Sequence, residues 1–173
     1  MINRILITLL LSSIPLFASA NKLQAHKVNS QLTPVAVSSV AGQWTLVQLW
    51  TLDCVVCEKQ KPALSQINND YNELTVLGLS LDGLDLANDV RASLTVKALS
   101  FDNYIAELDS VKVQLQNSFD SKYRGTPTYI LYSPAGKITA VQHGPIDLQK
   151  LPERLELTKV EAPAPAMAAD LIQ

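Results

Sequence analysis

Polar and apolar positions along the 173-residue chain fall into a small set of recognisable periods. "WTLVQLW", Trp44 to Trp50, is a nearly continuous apolar run rich in strand formers, the pattern of a strand covered on both faces. From Cys57 onward Leu64, Ile67, Tyr71 and Leu74 recur at spacings of three and four, which predicts one buried face of a helix. "TVLGLSL", residues 75–81, predicts the next strand, and Asp85 is placed to cap a second helix with Leu86, Val90 and Leu94 inward. Strand, helix, strand, helix in that order implies a parallel sheet wrapped by helices.

The second half is less regular. Residues 101–109 are ambiguous, whereas Leu108, Val111, Leu115 and Phe119 favour a third helix over the strand that "VKVQL" suggests. Residues 128–144, "TYILYSPAGKITAVQHG", read as two β-rich runs joined by a tight turn at Ser133-Pro134-Ala135-Gly136, an antiparallel hairpin. Asp147 is the expected cap of a last helix with Leu148, Leu151 and Leu155 inward, kinked or restarted at Pro152.

The ends carry no such periods. Residues 1–20 have a short positive start at Arg4, an apolar stretch to Phe17 and the small-x-small pattern Ala18-Ser19-Ala20, so a signal peptide cleaved after Ala20 is expected. The alternative is an N-terminal membrane anchor, but a span needs about 20 apolar residues and this run is broken by Ser12, Ser13 and Pro15. Residues 21–34 are polar and read as a flexible lead-in, residues 35–160 as one domain, and residues 161–173 as a disordered Ala/Pro-rich tail.

Composition narrows the function. The hydrophobic share of 47% is enough for a sizeable core. The formal charge is −2; loss of residues 1–20 removes one basic residue and no acidic one, leaving 13 against 16, or −3. No basic block exists, so no nucleic-acid partner is expected.

The chemistry is concentrated in "WTLDCVVCEKQKP", residues 50–62, which holds both cysteines of the chain. In an exported protein disulfides form and persist, but a two-residue loop removes little unfolded-state freedom, so this pair is a poor staple and a better switch. Zinc needs two further ligands, and the chain offers only His26 and His143, so no metal is expected; a copper site with His143 fares no better. A buried strand running into Cys-x-x-Cys at the start of a helix puts the first sulfur where unpaired N–H groups and the helix dipole favour negative charge. Cys54 is therefore the expected nucleophile with a depressed pKa, and Cys57 the resolving thiol.

These residues resemble the thioredoxin-like thiol-disulfide oxidoreductases, and most closely the exported TlpA/ResA-type disulfide reductases. The resemblance spans residues 40–157 and rests on the C-x-x-C after an apolar strand, Pro62 five residues past Cys57, and "YRGTPTYILYSPAGKI", residues 123–138. It implies an α/β thioredoxin fold with a central mixed β-sheet flanked by helices, and a central helical insertion within residues 82–122. It also implies a cis proline at Pro127 facing the disulfide, with the backbone of Thr126 pairing an extended substrate. Trp50, Asp53, Thr126 and Glu58 are the expected auxiliary residues.

The resemblance implies a disulfide reductase without cofactor, monomeric and periplasmic or otherwise exported. It would be reduced by a membrane electron-relay protein and act on disulfides of exported proteins. Apocytochromes are one such substrate, but the cytochrome-maturation subgroup carries glutamate after the cis proline where this chain has Thr128, so a general substrate is expected. Alternatives are a disulfide oxidase or isomerase, and a thioredoxin-fold binding protein with little turnover.

Three positions depart from the family pattern. Asp53 stands where tryptophan precedes the first cysteine, and its carboxylate either pushes the Cys54 thiol up or turns to solvent. Gln48 and Gln60 stand where relatives carry the acids that take the proton, and an amide does not titrate, which leaves water, Glu58 or Asp53. A peroxidase of the same fold would need a proline at Val47, although Thr51 fits that motif.

Overall fold

The computed structural model describes residues 22–29 and 31–160. They build one mixed sheet from β1 (Leu23–Lys27), β2 (Pro34–Val37), β3 (Trp44–Trp50), β4 (Leu74–Ser80), β5 (Asn103–Ile105), β6 (Thr128–Tyr132) and β7 (Ile138–His143). Its helices are α1 (Val55–Asp70), α2 (Ala87–Thr95), α3 (Leu108–Phe119) and α4 (Leu151–Arg154). Strand order is β2-β1-β5-β4-β3-β6-β7, parallel only across β3, β4 and β5. The sheet is therefore mixed, because the β6–β7 hairpin and β1 join it antiparallel.

β3 is central and buried on both faces, as its unbroken apolar run predicts. Leu46 packs with Leu64 and Ile67 of α1, while Val47 and Leu49, pointing the other way, pack with Val111 and Leu115 of α3. Helices thus cover both sides, and every alternate residue of β3 from Leu46 to Trp50 looks toward α1. The 3-10 turn Leu84–Leu86, α2, β5 and α3 form the helical insertion between β4 and β6.

Several expectations need correction. Residues 21–34 are not a flexible lead-in where described: β1 places Leu23 and Ala25 in the core and pairs with both β2 and β5. Five residues with two inward apolar side chains are too short a signal for periodicity to detect. Leu74 opens β4 rather than closing α1, which ends at Asp70. Asp85 makes no cap: a 3-10 turn intervenes, α2 begins at Ala87, and Leu86 is 42% exposed. Asp147 accepts from the backbone N–H of Gln149 and Lys150 at 3.2 and 3.4 Å, capping a turn that precedes the short α4.

The ambiguous segment resolves into β5, where Gly78 of β4 is required. A Cβ there would lie 2.0 Å from Asn103 Oδ1, so only glycine lets the Asn103 side chain cross the strand. The expected signal peptide and C-terminal tail lie outside the described residues, and no helix among those described is long and apolar enough to cross a membrane.

Candidate active site

β3 ends at Trp50, and the chain turns through Thr51, Leu52 and Asp53 into α1. Asp82 holds that turn: both its carboxylate oxygens accept from the Leu52 N–H at 3.1 Å, and Ser80 donates its hydroxyl to the same side chain at 2.6 Å. The turn delivers Cys54 to the N-cap of α1, where its Sγ accepts the backbone N–H of Cys57 at 3.1 Å. Helix N-termini leave such N–H groups unpaired, so a sulfur at this point is solvated by the backbone itself. Cys54 and Cys57 are joined as a disulfide, with Cys54 8% exposed and Cys57 fully buried. Val55 and Val56 between them are exposed.

At the same end of the sheet, where Thr128 pairs with Leu49, lies the loop before β6, whose Thr126–Pro127 peptide bond is cis. Gly125 ahead of it has φ 121°, a conformation that L side chains rarely adopt. Two anchors hold this loop from behind. Gly144 donates its N–H to Pro127 O at 2.8 Å, and the Thr128 hydroxyl donates to Gly125 O at 2.7 Å. With its proton so used, Thr128 accepts from His143 Nδ1 at 3.0 Å, and Nε2 of His143 then accepts from Ser121 at 3.3 Å. Burial, then Arg124, holds His143 below its ordinary value, consistent with this neutral, doubly bonded ring.

One contact crosses between the two loops. Thr126 and Thr51 have hydroxyls 3.2 Å apart, and Thr51 donates onward to Asp53 Oδ1 at 2.6 Å. Asp53 is thus exposed and turned to Thr51.

Beneath the couple lie the residues that sequence reasoning left unconnected. Gln48 donates from Nε2 to Tyr129 Oη at 2.8 Å, Tyr129 donates to Gln60 Oε1 at 2.6 Å, and Gln60 donates to Ile146 O at 2.8 Å. The two amides are therefore joined in one hydrogen-bond chain through a phenol. Burial pushes the Tyr129 pKa up to about 12, against a smaller lowering by Gln48, so the phenol keeps its proton.

Trp50 is fully buried in one cluster with both cysteines, Ala87, Val90 and Ile105. Over its ring, 3.3 Å from the centroid, sits Nζ of Lys61, which is 1% exposed. Lys61 and Lys97 each donate to a different oxygen of Glu58. Burial, Lys61 and Lys97 act on Glu58 in that order, burial raising it and the two ammonium groups holding it below the ordinary carboxylate value. Burial pulls the Lys61 pKa down, opposed by Glu58.

Of the sequence-predicted residues, Trp50, Asp53, Cys54, Cys57, Thr126 and Pro127 come together at the C-terminal end of β3, with Glu58 one turn in. Lys61, Tyr129, Thr51 and Asp82 were not foreseen in these places. The signal for Lys61 is its spacing, four residues after Cys57 and three before Leu64, on the buried stripe of α1. Among the described residues no group of three or more His, Cys, Asp or Glu could hold a metal, and His26 lies in β1 paired with Ile105.

Residues 17–141 match the AhpC/TSA family. No curated protein matches the chain. Among solved structures, a thioredoxin-family thiol:disulfide interchange protein from Chlorobium tepidum superposes with TM-score 0.63 at 15% identity, covering 79% of this chain and 92% of its own. The thioredoxin domain of a thiol-disulfide oxidoreductase from Bacteroides vulgatus gives 0.60 at 24%, covering 79% and 94%. A secreted Mycobacterium tuberculosis disulfide oxidoreductase homologous to E. coli DsbE gives 0.54 at 20%, covering 77% and 93%. These likenesses share the thioredoxin-like fold with this chain.

Proposed function

The chain belongs to the AhpC/TSA family and is a thiol-disulfide oxidoreductase by its Cys54–Cys57 couple, and on that premise we propose that it reduces disulfide bonds in other exported proteins. The observation that carries this reading is the position of Cys54: its sulfur caps α1 and accepts the Cys57 N–H at 3.1 Å, on a turn whose Thr51 hydroxyl lies 3.2 Å from that of Thr126, the residue before the cis Pro127.

In the working direction the Cys54 thiolate attacks one sulfur of a substrate disulfide. A Cys54–substrate S–S bond forms, the substrate S–S bond breaks, and the other substrate sulfur leaves as a thiolate that takes up a proton. Cys57, deprotonated, then attacks Cys54 Sγ, forming the Cys54–Cys57 disulfide and releasing the second substrate thiol. The substrate gains two electrons and the protein loses two. The exposed Val55 and Val56 offer an apolar surface for a substrate segment, whose backbone pairs with Thr126 next to Pro127. A membrane electron-relay protein returns the electrons.

The reducing direction is supported by the apolar residues between the cysteines, which give the thiolate no side-chain hydrogen bond; a couple is a strong oxidant only when its reduced form is specially stabilised. Export is supported by the signal-like residues 1–20. A peroxidase reading finds no help at Thr51, whose hydroxyl is committed to Asp53 and Thr126.

The test is a trapping experiment with a disulfide-bonded peptide. Reduced Cys57→Ser protein should accumulate a mixed disulfide through Cys54, and Cys54→Ser should form none and turn nothing over. Equal trapping by both variants would reject the assigned roles.

A further inference from the structure

Lys61 is the one charged residue among those described that is as buried as the core. Placing an ammonium there is costly unless something compensates for lost water. The compensation is visible. The Trp50 ring lies 3.3 Å from Nζ, and Glu58 accepts from it. Glu58, however, is shared with Lys97, so two cations face one carboxylate and the cluster keeps one positive charge.

That charge sits on the ring that packs with the redox couple. Lys61 follows Cys57 by four residues, one turn along the same face of α1, where side chains are neighbours. Trp50, the ring beneath its ammonium, packs in one cluster with Cys54 and Cys57. The neighbouring positions that could carry an opposing charge do not: Gln48 and Gln60 are amides locked to Tyr129. The remaining charged groups around it are Asp82, which faces the Leu52 N–H, and the exposed Asp53.

We propose that the buried ammonium of Lys61 is a positioning residue for the redox chemistry, holding the thiolates of the reduced Cys54–Cys57 couple in their charged form. The inference rests on the reading of that pair as a redox couple. Lys61 transfers no proton in this scheme; it acts through charge, in a dry site where an ion is screened little. Stabilising the thiolate favours the reduced form, so Lys61 moderates a couple that its valines would otherwise leave still more reducing. Burial lowers the Lys61 pKa, and Glu58 opposes that lowering.

The experiment is an ultraviolet titration of the thiolate in the reduced protein, comparing wild type, Lys61→Met and Lys61→Arg. Methionine keeps the length and the apolar contact with Trp50 and removes the charge. Its Cys54 midpoint should rise by about one pH unit, the low end of what an adjacent opposite charge does, and arginine should restore the wild-type midpoint. A folded Lys61→Met with an unchanged or lowered midpoint overturns the proposal.

Lys97→Met, at a position about one-third exposed, decides the matter if Lys61→Met does not fold. It leaves Glu58 to neutralise Lys61, so a raised midpoint supports the proposal and an unchanged one overturns it. Absence of disulfide reduction by the wild-type protein would instead reject the reading in the previous subsection, which the titration does not measure.

Discussion

Tyr129 donates its phenolic proton to Gln60 Oε1 across 2.6 Å, from the central hairpin strand to the helix that opens with the cysteines. The phenolic oxygen in turn accepts from Gln48 Nε2 at 2.8 Å, so one phenol joins the two amides. The interior beneath the couple is polar yet has no acid in this chain of hydrogen bonds.

Removing that phenolic oxygen should therefore be felt in stability. Tyr129→Phe leaves Gln48 Nε2 without its partner in a buried setting, which costs about 1–3 kcal/mol, and also deprives the half-buried Gln60 Oε1 of its donor. Urea unfolding should show a lower midpoint with an unchanged slope. A midpoint equal to wild type would mean that the amides re-pair without Tyr129.

The contact between Thr51 and Thr126 predicts an effect of the opposite kind. Thr126→Val keeps the shape of the loop and deletes the hydroxyl that bridges to the Cys54 turn, at 3.2 Å in the intact protein. Disulfide reduction should fall by roughly threefold to tenfold, the worth of about one hydrogen bond, with little change in unfolding. Unchanged turnover would show that the two loops hold their places independently.

Acid should weaken the fold through Glu58. Burial opposes its ionisation, but Lys61 and Lys97 prevail and its folded pKa lies below the ordinary 4.5. Between those two values the unfolded chain binds the proton and the folded one does not, so stability rises with pH there. The contribution is complete above the ordinary value and is lost as pH falls through the folded one. Urea midpoints followed across that acidic window should drop more steeply for wild type than for Glu58→Gln; parallel curves would contradict the ion pairs.

Much of this was legible in the sequence, and the exceptions have physical reasons. Long single-period signals read correctly: the unbroken run at 44–50 became the doubly covered β3, and Ser133-Pro134-Ala135-Gly136 the hairpin turn, with Gly136 at φ 76°. The cysteine pair was plain because a C-x-x-C after such a strand has few other uses. β1 was invisible because it is short and joins the rest of the sheet through β5, nearly eighty residues away, with only β2 as a local partner. Lys61 was passed over for another reason: a lysine on a helix is ordinarily solvated, and nothing local says that a tryptophan ring and a shared carboxylate wait above it. Tyr129 read as a strand aromatic, since the link to Gln48 and Gln60 joins residues about seventy to eighty apart.

The measurement that bears most directly on the central claim is the redox equilibrium of the Cys54–Cys57 pair in glutathione buffers, read by thiol trapping. The account predicts a potential well below about −200 mV, toward the thioredoxin end of the range. A value near about −120 mV would make the protein an oxidant and reverse the electron flow described above.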